Sequence, residues 1–208
     1  MTESDLNAAY ALNGPEDCRR LYAAWAETYD TDFAAGMDYI LPAQVAGAFL
    51  AAGGTGPVLD VGTGTGLLGA ALRGAGLTQP IDGVDLVPQM LERARALNLY
   101  RHLVAADITH PLTLPDRYMG LVSSGTFTHG HVGPEALPHL LAVAAPGALF
   151  ALSVNAGVWD ARGFGPALAA LPIDALTTAE APIYGPRAAA RDPAHAADRA
   201  LIVTFRTR

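Results

Sequence analysis

The chain contains no lysine. All 13 of its basic residues are arginine, set against 20 acidic ones for a formal charge of −7. No basic cluster offsets this, since the densest neighbourhood, Arg93, Arg95 and Arg101, is diluted by Glu92 and Asp107. Binding to free DNA or RNA draws its largest affinity term from neutralised phosphates, so no nucleic-acid partner is expected. An acidic surface suits small neutral or cationic ligands better. Cysteine is nearly absent too. A lone Cys18 allows neither a disulfide framework nor a cysteine-rich metal site, and such a chain is expected in the cytoplasm with an inert thiol. The opening "MTESDLNAAY" has two acids and no base, unlike a secretory leader. The one membrane suspect, Ala136 to Trp159, runs 24 residues without Asp, Glu, Lys or Arg. Pro146-Gly147 splits it into halves of about a dozen residues, too short for a bilayer core of ~30 Å. It reads as a buried helix, a turn and a buried strand, so no membrane association is expected.

What the chain has is apolar content, glycine and a regular rhythm. Apolar residues make up 51% and charged ones 16%, which with 208 residues is enough for one globular domain with a proper core. The first 55 residues read as helical. Pro15 can start a helix in which Leu21, Tyr22, Trp25, Thr28 and Tyr29 recur at spacings of three and four. A second helix follows Pro42, with Val45, Phe49 and Ala52 on one side, and "GGTGP" ends it. From Pro57 onward strands and helices alternate. "VLDV" precedes a helix from Leu67 to Arg73, and "PIDGVDL" precedes one from Pro88 with Val87, Met90, Leu91, Ala94 and Leu97 as its apolar stripe. "HLVAAD" and "YMGLVSS" follow as strands, then a helix from Pro134 with Leu137, Leu140, Leu141 and Ala144 in its stripe, then "ALFALSV". The stretch Gly185 to Asp198 reads as a loop, and "ALIVTFRTR" as an edge strand. Such alternation predicts a parallel sheet covered on both faces.

Ligands of open α/β sheets sit outside the carboxyl ends of the strands. The first strand ends in Gly62-Thr63-Gly64-Thr65-Gly66. Asp85 ends the second, 19 positions beyond Gly66, where an acid can grip both hydroxyls of a ribose. Asp107 ends the third, and Ser123-Ser124-Gly125-Thr126-Phe127-Thr128-His129 follows the fourth. Dinucleotide and adenosyl enzymes both use the ribose acid, but two features separate them. The dinucleotide fingerprint G-x-G-x-x-G needs glycine at position 67, where Leu67 stands. Asp107 adds a second acid able to accept from the exocyclic amine of adenine. An adenosine held by two acids with no phosphate describes S-adenosylmethionine. Asp60, a carboxylate beside the glycine turn, would suit that ligand's ammonium and repel a pyrophosphate.

In this order and spacing, "LDVGTGTG", "GVDLVPQML", "AADI" and the Ser-Ser-Gly turn resemble class I S-adenosylmethionine-dependent methyltransferases. "YAAWAETYD", Tyr22 to Asp30, resembles the aromatic lid of many small-molecule members. Together with "LVSSGTFTHGHVGPEAL" it is similar to the methyltransferase-like proteins of the Williams–Beuren type. The resemblance covers about residues 20 to 155. It implies a Rossmann-like, doubly wound α/β fold with a mostly parallel seven-stranded sheet and an antiparallel edge strand. Residues 56–208 would form this core and residues 1–55 a helical lid, together a single domain. It further implies that Gly62, Thr63 and Gly64 approach the methionine part and that Asp85 holds the ribose. Leu86 and Met90 would pack the adenine while Asp107 and the Ile108 amide read its edge. Ser124 would complete the wall, and Tyr22, Trp25 and Tyr29 would close over the ligand. Families that methylate amide or exocyclic base nitrogens often carry Asn-Pro-Pro-Tyr after the fourth strand. Ser-Ser-Gly-Thr-Phe stands there instead, which argues against protein-glutamine and nucleic-base methylation.

Methyl transfer from a sulfonium is an in-line displacement, which positioning alone can drive, and S-adenosyl-L-homocysteine is the product. A general base is needed only for a poorly acidic hydroxyl or a protonated amine, and His129, just beyond the fourth strand, is the candidate. The expected function is transfer to a small-molecule acceptor. A catalytically silent protein that binds S-adenosylmethionine or its product would carry the same donor-site residues.

Overall fold

A computed structural model describes residues 6–208 of the chain. Met1–Asp5, which open the expected helical extension, lie outside the described residues. Two short helices come first, α1 (Leu6–Tyr10) and α2 (Pro15–Trp25), with Pro15 in the first turn of α2 where its missing N–H costs nothing. The aromatic face does not run on in one helix. A π-helical turn, Tyr29–Ala34, takes over after α2. Then α3 (Leu41–Ala51) starts one residue before Pro42, burying Val45 and Phe49, while Ala52 is its exposed C-cap.

The core alternates as expected: β1 (Val58–Val61), α4 (Leu67–Gly74), β2 (Ile81–Asp85), α5 (Pro88–Ala96), β3 (Leu103–Ala105) and β4 (Tyr118–Phe127). In the stripe of α5, Met90, Leu91 and Ala94 are buried, but Leu97 is 42% exposed beyond its end. A 3-10 turn at Pro134–Ala136 leads into α6 (Leu137–Val143), β5 (Ala144–Asn155), α7 (Ala156–Trp159) and α8 (Phe164–Ala169). The chain ends with β6 (Ile173–Pro182), α9 (Ala188–Arg191) inside the expected loop, and β7 (Arg199–Thr207).

The seven strands form one sheet in the order β3-β2-β1-β4-β5-β7-β6. β1 pairs in parallel with β2 and β4, β2 with β3, and β4 with β5, while β7 runs antiparallel to both β5 and β6. The last run of sequence is therefore a strand one place in from the edge, and β6 is the edge strand. Its residues Asp174 to Glu180 are all exposed, so burial imposes no alternation on them, and alternation is what identifies a strand in sequence. Side chains alternate across β1: Val58 packs with Val45, Phe49 and Leu72 under α3 and α4, whereas Leu59 and Val61 pack with Leu137, Leu140 and Phe164 on the opposite face. Among the described residues no helix is long and apolar enough to cross a membrane.

Candidate functional site

Strand order reverses between β1 and β4, and the turn after β1 folds back onto the end of β2. The Gly62 and Thr63 amides both donate to the Val84 carbonyl, at 2.8 and 3.1 Å. The next amide is taken by a side chain, since Gly64 N–H donates to Asp85 Oδ2 at 2.7 Å. Asp85 Oδ1 accepts from the Val87 amide at 2.8 Å and so also ties down the start of α5. A pyrophosphate cradled by this turn would need the Gly64 donor that Asp85 already holds. Burial raises the Asp85 carboxyl above its ordinary value, and the backbone donors pull the other way.

Glycine is required twice in this turn, for different reasons. Gly62 has φ +69°, and a Cβ there would collide with Thr126 Oγ1. Gly64 has φ +56°, and a Cβ there would meet no atom within 4 Å. It would project into open space, and Gly64 lines a cavity of about 450 Å³ at the carboxyl ends of the strands.

The structure brings most of the expected residues to this cavity. Its walls include Gly62, Gly64, Asp85, Leu86, Met90 and Ser124, with Asp107 and Ile108 from beyond β3 and Tyr22 and Tyr29 from the N-terminal helices. Asp107 Oδ1 accepts from the Thr109 amide and hydroxyl at 2.9 and 2.7 Å. Burial raises this carboxyl, but the Thr109 bonds outweigh it and hold the pKa below the ordinary carboxylate value. Ser124 lies in a bulge, where the pairing of β4 with β5 slips between Ser123 and Phe127, and its Oγ is 3.2 Å from Tyr39 Oη.

Four expected residues lie elsewhere. Thr63 is 4% exposed and turns its hydroxyl inward to the Asp60 carbonyl at 2.9 Å. Asp60 is buried beneath the turn on the α4 side of the sheet. Its Oδ2 accepts from Tyr100 Oη at 2.7 Å while Oδ1 has no hydrogen-bond partner among the described residues, and burial pushes its pKa up to about 7. Asp60 is thus set under the turn, without a place on the cavity wall, because β1 alternation points it to that face. Trp25 is 4% exposed, stacked 6.5 Å from Phe33, and borders a second, smaller cavity. His129, the expected general base, borders neither cavity; its ring packs 4.8 Å from Tyr10. The chain turns after Phe127, so His131 takes the inward position and borders both cavities.

His131 has a defined tautomer. Nδ1 stands 2.5 Å from the His129 carbonyl, which can only accept, so Nδ1 carries the proton. Nε2 is then an acceptor, and Tyr22 Oη donates to it at 2.9 Å. Burial, with Arg162 nearby, lowers the His131 pKa and keeps the ring neutral. His131 was legible only as a second histidine two positions past the first, and Tyr39 carried no sequence signal. Cys18 also faces the large cavity, with its thiol pushed up to about 11 by burial and therefore unreactive.

A mostly parallel sheet reversed at one strand, with a glycine turn tied to the acid that ends the next strand, is the architecture of the Rossmann-like methyltransferases. The comparisons agree. Residues 58–147 match the methyltransferase domain family. Human methyltransferase-like protein 27 is 31% identical, over 84% of this chain and 78% of the human one. In structure the chain is similar to magnesium protoporphyrin IX methyltransferase from Synechocystis with bound S-adenosylmethionine. There the TM-score is 0.65 at 16% identity, covering 95% of this chain and 99% of that one. It is also similar to the Burkholderia thailandensis 1,6-didemethyltoxoflavin-N1-methyltransferase, with TM-score 0.62 at 19% identity, covering 94% and 91%. The chain belongs to the class I S-adenosylmethionine-dependent methyltransferases.

Proposed function

We propose that this enzyme methylates a small molecule in the cytoplasm, and that all 208 residues work as one unit in which residues 1–55 serve as the lid. The observation that carries the reading is the large cavity itself, with Asp85 and Asp107 on its wall and the tyrosines of the N-terminal helices across from them. In this assignment Asp85 accepts from the ribose hydroxyls with the lone pairs its two backbone donors leave free. Leu86 and Met90 would pack the adenine, Asp107 and the Ile108 amide would read its edge, and the side of Gly64 would receive the methionine arm.

S-adenosylmethionine supplies the electrophilic methyl group when bound. The chain supplies alignment and exclusion of water, which in well-oriented systems lowers a barrier by ~7–11 kcal/mol. Tyr22 forms the mobile part of the cover, while Trp25 and Tyr29 anchor it to Phe33. The Synechocystis and Burkholderia neighbours act on a porphyrin and a toxoflavin precursor by their names, and both are small molecules. The 13 arginines and 20 acids favour such an acceptor over a nucleic acid.

Melting curves with S-adenosylmethionine, S-adenosylhomocysteine and NAD test the donor assignment, and the two adenosyl ligands alone are expected to raise the transition. A screen of metabolite fractions for transfer of a labelled methyl group tests the acceptor class. Label appearing only in protein or nucleic acid would overturn it.

A further inference from the structure

The smaller cavity, about 50 Å³, opens off the same site and shares Tyr22, Tyr29, Gly125 and His131 with the large one. Eight aromatic residues are on its wall, among them Tyr22, Trp25, Tyr29, Phe33, Tyr39 and Tyr184. They are inclined to one another at angles from 20° for Trp25 and Phe33 to 82° for Phe33 and Tyr184, so they enclose the space from several directions. A single packed stack would not do this.

The described lining of the chamber carries no formal charge of either sign. Among the described residues no arginine, aspartate or glutamate lines it. An anionic group placed there would meet no counter-charge, in a protein of net charge −7. Among the described residues His131 is the one base on the wall, and burial lowers its pKa and so disfavours its charged form. Tyr22 commits its proton to His131 Nε2 and leaves its oxygen lone pairs as acceptors. Aromatic rings offer a negative face, and a desolvated cation over such faces is favoured where an anion is not. The volume limits the group to a few heavy atoms.

We propose that this chamber is the acceptor's subsite and that it takes a compact alkylammonium group, so that the acceptor is a small molecule carrying an alkylamine. The inference rests on the small-molecule reading above and specifies its chemistry.

The test uses full-length protein saturated with S-adenosylhomocysteine and two probes of the same three-methyl shape, trimethylammonium chloride and tert-butanol. Binding is read by calorimetry and by Trp25 fluorescence in a Trp159→Phe background, where Trp25 is the remaining tryptophan. The ammonium should bind about tenfold or more tightly than the alcohol and perturb Trp25 emission. Tyr39→Leu and Tyr184→Leu should each abolish that preference. Equal binding of the two probes, or binding of neither, overturns the proposal. S-adenosylhomocysteine affinity is measured in the same samples. If it persists while the ammonium fails, only this inference falls; if it too is absent, the donor-site assignment fails with it. Retained affinity in the variants also shows that they are folded.

Discussion

The Asp85 carboxylate lies 2.7 Å from the Gly64 amide, so the end of β2 and the glycine turn after β1 are one structural unit. A residue expected only to hold a ligand also holds the turn on which that ligand would lie.

Asp85→Ala should therefore do two things. Adenosyl-ligand affinity should fall sharply, because the proposed acceptor for the ribose is gone. The fold should also lose about 1–3 kcal/mol, because the buried Gly64 and Val87 amides lose their partner. Calorimetry gives the first and urea denaturation the second. Unchanged affinity in a folded variant would remove the ribose assignment.

Gly62 and Gly64 should respond differently to added side chains. Gly64→Ala points its methyl into the cavity, so the protein should fold with a backbone cost of about 1–2 kcal/mol at positive φ and lose ligand affinity. Gly62→Ala pushes against Thr126, so it should lower the melting temperature further, and Thr126→Ala should restore part of that loss. Melting curves of the three variants and the double variant, with and without S-adenosylhomocysteine, separate the two effects. Equal behaviour of the two glycines would contradict the geometry.

Two buried groups tilt stability against pH in opposite senses. Asp60 has a folded pKa of about 7, pushed above the ordinary ~3.9 by burial, so the native state keeps a proton that the unfolded state releases. Its contribution is fully present below pH ~4 and is lost as pH rises through 7, a change of order 2–4 kcal/mol. His131 is lowered by burial, so the unfolded state protonates first and stability falls as pH drops below ~6.5. Asp60→Asn should raise the melting temperature at pH 8 more than at pH 5, and His131→Gln should flatten the acid side alone. A uniform shift at both pH values in Asp60→Asn would show that Asp60 is ionised throughout.

The N-terminal helices should behave as two parts. Trp25 and Phe33 are buried without any ligand, so amides from Trp25 to Ala34 should be protected from exchange in both states. Tyr22 and the first turns of α2, which face the large cavity, should gain protection when S-adenosylhomocysteine binds. Hydrogen exchange across residues 15–34 checks this. Equal protection throughout would make the whole segment core and not lid.

How the site is partitioned between sequence and fold follows from the range of the forces involved. Apolar runs, turn glycines and the positions of Asp85 and Asp107 are local, and they determined the α/β class, the crevice and its two acids, because strand ends are where such a sheet must expose polar groups. β6 escaped notice because an edge strand with seven exposed residues obeys no burial pattern. His131 could not be preferred to His129 by spacing, since which one faces inward depends on how the chain turns after the β4 bulge. Asp60 sits in a motif that reads as ligand-facing, yet β1 alternation turns it beneath the turn to Tyr100. The aromatic chamber draws Tyr22 and Trp25 from α2, Tyr39 from before α3 and Tyr184 from between β6 and α9, up to 162 positions apart. Sequence determined the sheet and the crevice through local patterning, and only tertiary packing, which brings distant segments into contact, decided what lines the site beyond the glycine turn and its two acids.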